Sequence, residues 1–148
     1  MKAMVLKTAT GTEALELVDL PMPEVGADEV LVRLGASSLN WRDTLIFKGG
    51  YRSQQKMENL IPLTDGAGEV VETGANVSGF KAGDRVTAGF CPNWISGNPD
   101  ADAVKSPAGK TEDGMLCEYR IFKPHQIVRT AEHLSDIEAA TLPCAGVT

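Results

Sequence analysis

Short runs in which apolar and polar residues alternate, broken by Gly, Pro and Asp, occupy the first ninety residues, a period that suits strands separated by turns. Lys2–Thr8 predicts a first strand. Leu15–Asp19 predicts its partner through the flexible turn Thr10-Gly11-Thr12, and Pro21 and Pro23 end that pairing. Residues 29–36, rich in Val and Leu, form the clearest strand, and Asp65–Thr73 follows with Val70-Val71 flanked by glycines. A turn over residues 79–84 leads into Arg85–Ala88, and residues 115–122 and 126–129 complete the set. Two segments predict helices. Residues 40–48 open on Asn40 as a cap and stop at Gly49-Gly50; residues 135–142 open on the capping box Ser135-x-x-Glu138 and are interrupted at Pro143.

A chain of 148 residues with 43% hydrophobic and 23% charged positions is sized and composed for one folded domain with its own core. A net charge of -6 argues against broad nucleic-acid or anionic-membrane binding, and no run of apolar residues is long enough to span a bilayer. Residues 1–10 lack the apolar stretch of a secretory signal. Three widely spaced cysteines, Cys91, Cys117 and Cys144, with no Cys-x-x-Cys pair, fit reduced thiols and a cytoplasmic setting, with a Cys91–Cys117 bridge as the minor alternative. Twenty-one residues between Cys91 and Asp113 carry three prolines and two glycines without periodicity, the mark of a functional lobe or a disordered loop. Trp94 and Ile95 are its apolar point, expected first to pack beneath the lobe, with covering a site or meeting a partner as alternatives. The ending Cys144-Ala145-Gly146-Val147-Thr148, small and uncapped, reads as cut.

Candidate chemistry is sparse. Gly66-Ala67-Gly68 imitates a dinucleotide fingerprint, but that motif needs a helix after the glycines, and Glu69-Val70-Val71 reads as strand; close backbone packing or a bulge is the better explanation. Arg42, Lys48, Arg52 and Lys56 against Asp43 give residues 42–56 a net charge of +3, suited to a phosphate-bearing ligand or, more simply, to a solvated helix face. No nucleophile elbow is present, and His125 and His133 have no adjacent partners. Three dispersed cysteines and two remote histidines make a poor zinc site.

Taken in order, several pieces resemble the N-terminal, GroES-like domain of the medium-chain dehydrogenase/reductase superfamily. They are the opening strand, Pro23 with Asp28-Glu29-Val30-Leu31-Val32, Ser38-Leu39-Asn40-Trp41-Arg42-Asp43 and Asp65-Gly66-Ala67-Gly68-Glu69-Val70-Val71. Gly83-Asp84-Arg85-Val86, residues 114–119 and Ala139-Ala140-Thr141-Leu142-Pro143-Cys144-Ala145-Gly146-Val147-Thr148 continue the match. The resemblance implies a mainly β, partly open barrel over residues 1–132, then a helical junction, 133–148, leading toward a Rossmann domain that this chain lacks. Zinc enzymes of the superfamily carry Cys and His where this chain has Asn40 and Thr64, and a third ligand at Cys144. Retaining one thiol of three favours the zinc-free, quinone-oxidoreductase-like branch, so no metal is expected.

The resemblance further implies hydride transfer between NADP or NAD and a small-molecule carbonyl, alcohol or activated alkene, by a full-length homodimer, with this fragment inactive alone. Asn40 would face the nicotinamide and share catalytic duty with Tyr51, a pocket tyrosine in many quinone reductases. Asp43 would be a carboxylate beside the site or a holder of the helix. Trp41 and Arg42 would approach the pyrophosphate, and Thr148 the nicotinamide ribose or carboxamide. Tyr51, Thr64, Asp65 and Trp94 would border the substrate. Two competing readings stand: a free-standing barrel that binds a partner or oligomerises through its loop, and a zinc enzyme with substitute ligands such as Asp65 and Cys144.

Overall fold

The computed structural model describes residues 1–50, 58–98 and 107–146. Among these residues eight strands and two short α-helices follow one another as β1 (Lys2–Thr8), β2 (Leu15–Asp19), β3 (Val30–Ser38), α1 (Trp41–Phe47), β4 (Glu58–Leu60), β5 (Asp65–Thr73), β6 (Arg85–Ala88), β7 (Tyr119–Phe122), β8 (Ile127–Arg129) and α2 (Asp136–Ala140). They form a three-stranded sheet in the order β2-β1-β4 and a five-stranded sheet in the order β7-β3-β5-β6-β8. All strand pairs are antiparallel, and the sheets do not close into a barrel. The mainly β class is therefore as expected.

Inward positions of the larger sheet, Val30, Val32, Val70, Val86, Phe122 and Ile127, meet Met115 in the principal core. Each such buried side chain contributes roughly 1.5–3 kcal/mol relative to exposure. A second cluster joins Leu6 of β1 to Ile46 and Phe47 of α1 and to Leu60 and Leu63, which fastens α1 to the smaller sheet. Ala139 and Ala140 of α2 pack on Ala67 of β5. Only small residues at that contact let a helix backbone come so close to a strand.

The glycines of 66–68 serve packing, as the strand reading required. Gly68 stands opposite Leu34 beside a register shift in β3, and a Cβ there would lie 2.1 Å from the Arg33 carbonyl oxygen. Two expectations need correction. Residues 115–118 are not part of β7, because their backbone bonds go elsewhere: Met115 N–H donates to Leu63 O at 2.9 Å and Met4 N–H to Leu116 O at 2.9 Å. The predicted helix over 135–142 is regular only over Asp136–Ala140, after which Leu142–Gly146 widens into a π-turn around Pro143.

Candidate functional site

The register of β3 on β5 assembles the site. Ser38, the last residue of β3, pairs with Asp65, the first of β5, so the chain leaving β3 turns into α1 directly beside the Asp65 carboxylate. Asn40, half-buried at that corner, donates from Nδ2 to Asp65 Oδ2 at 2.9 Å. Its amide nitrogen thus goes to Asp65, and Asn40 still opens α1 as its N-cap, in a capping box with Asp43. The helix start is held from the other direction, since the Asn40 backbone N–H donates to Asp43 Oδ2 at 2.7 Å. Asp65 Oδ2 also accepts the backbone N–H of Cys144 at 3.2 Å, which ties the π-turn to the same carboxylate.

Arg42 and Asp43 share the inward face of α1 with Ile46 and Phe47, one helical turn further on. Arg42 is 8% exposed, which overturns the solvated-face reading of this arginine. Its Nη1 donates to Thr64 Oγ1, and its guanidinium carbon lies 4.7 Å from the centroid of the Phe90 ring. Thr64, fully buried, passes its own proton to Ala108 O at 3.0 Å. Leu63, just before it, has φ 70°, a left-handed conformation that a branched residue adopts only under restraint. The restraint is visible: Gly109 and Gly114 press on Leu63, where any Cβ would lie 2.6 Å and 2.0 Å from its carbonyl oxygen.

Electrostatically the corner is under tension. Burial pushes the Asp43 and Asp65 carboxyls above the usual range, against the lowering effect of Asn40 and the Arg42 charge. Asp43 Oδ1 and Asp65 Oδ1 are buried without a hydrogen-bond partner among the described residues. The Cys144 thiol is pushed up by burial and by Asp65. Lys110, 7% exposed, is held low by burial and by Arg42.

A cavity of about 730 Å³ opens beside this corner, between the chain after β6 and the π-turn. Its walls include Phe90, Cys91, Trp94 and Ile95 on one side and Leu142 and Cys144 on the other. Trp94 is not packed beneath the lobe, as first expected; it is 46% exposed, its Nε1 bonded to Gly97 O at 3.0 Å, and it borders the cavity. Thr64 and Asp65, expected to border the substrate, are not part of that wall; Asp65 is joined to it by the Cys144 N–H. Trp41, 80% exposed, stands on the outer face of α1. Tyr51, Arg52, Lys56 and Thr148 fall outside the described residues. Cys117, the third cysteine, is remote from Cys91 in function: its thiol donates to Tyr119 O at 3.3 Å, burial pushes its pKa to about 11, and no disulfide joins the two.

Phe90, Cys91 and Lys110 were not anticipated as neighbours of the site. Nothing local marks them, because they come from the aperiodic stretch after β6. Arg42 did carry a signal, since residues 42, 43, 46 and 47 trace one helical face with two unmistakably apolar members.

Comparison with known proteins gives a consistent result. The alcohol dehydrogenase GroES-like domain matches residues 26–132. A zinc-type alcohol dehydrogenase-like protein of Schizosaccharomyces pombe is 39% identical over 140 residues, 94% of this chain and 40% of its own length. A chloroplast envelope quinone oxidoreductase homolog of Arabidopsis thaliana is 37% identical over 139 residues, 93% of this chain and 37% of its own. The crystal structure of an NAD-dependent alcohol dehydrogenase superposes with a TM-score of 0.80 at 31% identity, over 97% of this chain and 43% of that one. This chain thus spans about two fifths of the length of these proteins.

Proposed function

The chain belongs to the alcohol dehydrogenase GroES-like family within the medium-chain dehydrogenase/reductase superfamily, and from that membership we propose that it forms the substrate side of a longer, zinc-independent oxidoreductase. The reaction is hydride transfer between NADP or NAD and a small carbonyl compound or activated alkene. The observation that carries this reading is the linked trio Asn40, Asp65 and Cys144, of which Cys144 lines the wall of an apolar cavity. Such a cavity with few converging polar groups suits an uncharged organic substrate.

The donor set does not fit catalytic zinc. Asn40 spends an amide hydrogen on Asp65, the Thr64 hydroxyl is engaged by Ala108 and Arg42, and the Arg42 cation beside them opposes a second, divalent charge. Oxyanion stabilisation then falls to hydrogen-bond donors. An amide nitrogen carries two hydrogens, so the Asp65 bond orients Asn40 while leaving one N–H for a substrate oxygen. Tyr51 is proposed as a second donor, with Trp94 as an aromatic wall.

When bound, a reduced nicotinamide supplies the hydride. On this side of the cleft Asn40 and the exposed Trp41 are proposed to meet it. Thr148 is proposed as a further contact, whereas Arg42, turned inward, does not fit a pyrophosphate in the present geometry. The full protein is proposed to be a cytoplasmic homodimer; among the described residues no helix is long and apolar enough to cross a membrane. This 148-residue chain alone is expected to be inactive.

The test is an assay of the complete polypeptide with NADPH and NADH against quinones, enones and aldehydes, with elemental analysis of the purified protein. Consumption of reduced cofactor with less than one zinc per chain supports the proposal. No consumption with any acceptor, or turnover that vanishes with chelation of stoichiometric zinc, contradicts it.

A further inference from the structure

A guanidinium is seldom turned toward a core without a partner. β7 ends the larger sheet, and in its register on β3 Val32 pairs with Arg120 and Val30 with Phe122, so Arg120 shares the sheet face whose side chains build the principal core. Its guanidinium carbon lies 5.6 Å from the centroid of the Phe122 ring, and its Nε is buried. Among the described residues its side chain makes no hydrogen bond and no ion pair. Burial works against the charge, and Cys117, Asp113 and Glu112 favour it without bonding it. Asp113 Oδ1 accepts the Ile61 N–H at 3.0 Å and Glu112 Oε1 the Asn93 amide at 3.3 Å. Leaving a guanidinium unbonded inside a protein is costly, and an anion that reaches it recovers that cost.

A cavity of about 370 Å³ between β7 and the residues that follow β2 and β4 gives such an anion its place. Leu20, Pro21, Pro23, Ile61 and Ile121 supply its apolar wall, and Arg120 and Asp113 complete it. No residue is shared with the larger cavity, so this site stands apart from the hydride reading. We propose that the second cavity binds a small monocarboxylate, whose charged end meets Arg120 and whose hydrocarbon body lies against the prolines and isoleucines. Asp113 in the same wall opposes a doubly charged ligand such as phosphate. The volume, near the lower end for ligand pockets, suits an acid about the size of benzoate.

The test is calorimetric titration of the complete polypeptide, without cofactor, with benzoate, benzamide and inorganic phosphate, beside melting curves. Benzoate is expected to bind at millimolar concentration or below and to raise the melting temperature, with benzamide and phosphate about tenfold weaker or more. Arg120→Gln should weaken benzoate about tenfold or more, Arg120→Lys less, and Arg129→Gln, at the larger cavity, not at all. Without ligand, Arg120→Gln should melt no lower than wild type, since the cation it removes is unbonded.

Benzoate binding that survives Arg120→Gln or follows Arg129 overturns the proposal. So does benzoate that binds no tighter than benzamide or phosphate, or not at all at millimolar concentration. An Arg120→Gln protein that fails to fold, or melts well below wild type, also overturns it, because the guanidinium is then spent on the fold. An inward charge on an edge strand deters pairing with a second sheet. Self-association of Arg120→Gln with benzoate binding intact would assign Arg120 that role and remove the site.

Discussion

Two arginine–aspartate regions in this molecule are built to opposite ends. At the junction of β6 and α2, Arg85 donates to Asp136 Oδ1 from two nitrogens, at 3.0 and 2.6 Å, and to Leu134 O at 2.7 Å, with both side chains about one third exposed. At the junction of β3, α1 and β5, Arg42, Asp43 and Asp65 are almost wholly buried, and the two carboxylates each leave an oxygen without a hydrogen-bond partner among the described residues. The first satisfies its groups near solvent and anchors a helix. The second buries charge at a cost of stability beside a cavity, and such tension is what functional sites retain.

Substitutions should separate the two regions by what they lose. In the complete polypeptide, Asn40→Ala is expected to lower turnover about 100-fold, the usual scale for an oxyanion donor, with thermal unfolding little changed. Steady-state kinetics beside a melting curve checks this, and unaltered turnover would remove Asn40 from the site. Arg85→Met should do the reverse. Loss of its charge-assisted bonds, moderated by partial exposure, should cost about 1–2 kcal/mol in denaturant unfolding while turnover stays within about twofold. Ser135→Ala is the smallest of the three. Ser135 accepts the Glu138 N–H at 3.3 Å while Glu138 accepts the Ser135 N–H at 2.8 Å, and losing one half of this box should cost about 1 kcal/mol.

Acidity distinguishes the regions too. Asp65, raised by burial, favours the fold when protonated; its contribution is complete below the ordinary aspartate pKa and is lost as pH rises through its elevated folded value. Asp84 on the surface behaves oppositely. The Lys81 backbone N–H and Arg129 hold it low, so its contribution is present above the ordinary value and is lost as pH falls through the depressed one.

The sequence makes local devices legible and leaves their meeting places hidden. Alternation located β1, β2, β3, β5, β6 and β8, and Ser135-x-x-Glu138 located α2, because each of these is decided within a few residues. Glu58–Leu60 escaped notice: a three-residue edge strand with Asn59 at φ 51° has no period to detect. Residues 115–118 looked like strand because their composition is right, yet their partners are 62–63 and β1 rather than β3 alone. Asn40 and Asp65 were each singled out by resemblance, but their bond is a product of the β3–β5 register, twenty-five residues apart in the chain. The inward turn of Arg42 was legible in the helical phase of α1, although its charge argued for solvent.

The most direct measurement is turnover and unfolding free energy, side by side, for Asp65→Asn in the complete polypeptide near neutral pH. Removing a buried negative charge that, among the described residues, Asn40 and the Cys144 N–H bond should raise stability, flatten its dependence on pH above the ordinary aspartate range, and lower turnover at least tenfold. A protein that is less stable and fully active would show instead that Asp65 is a structural anchor like Asp136, and the corner of β3, α1 and β5 would not be the site.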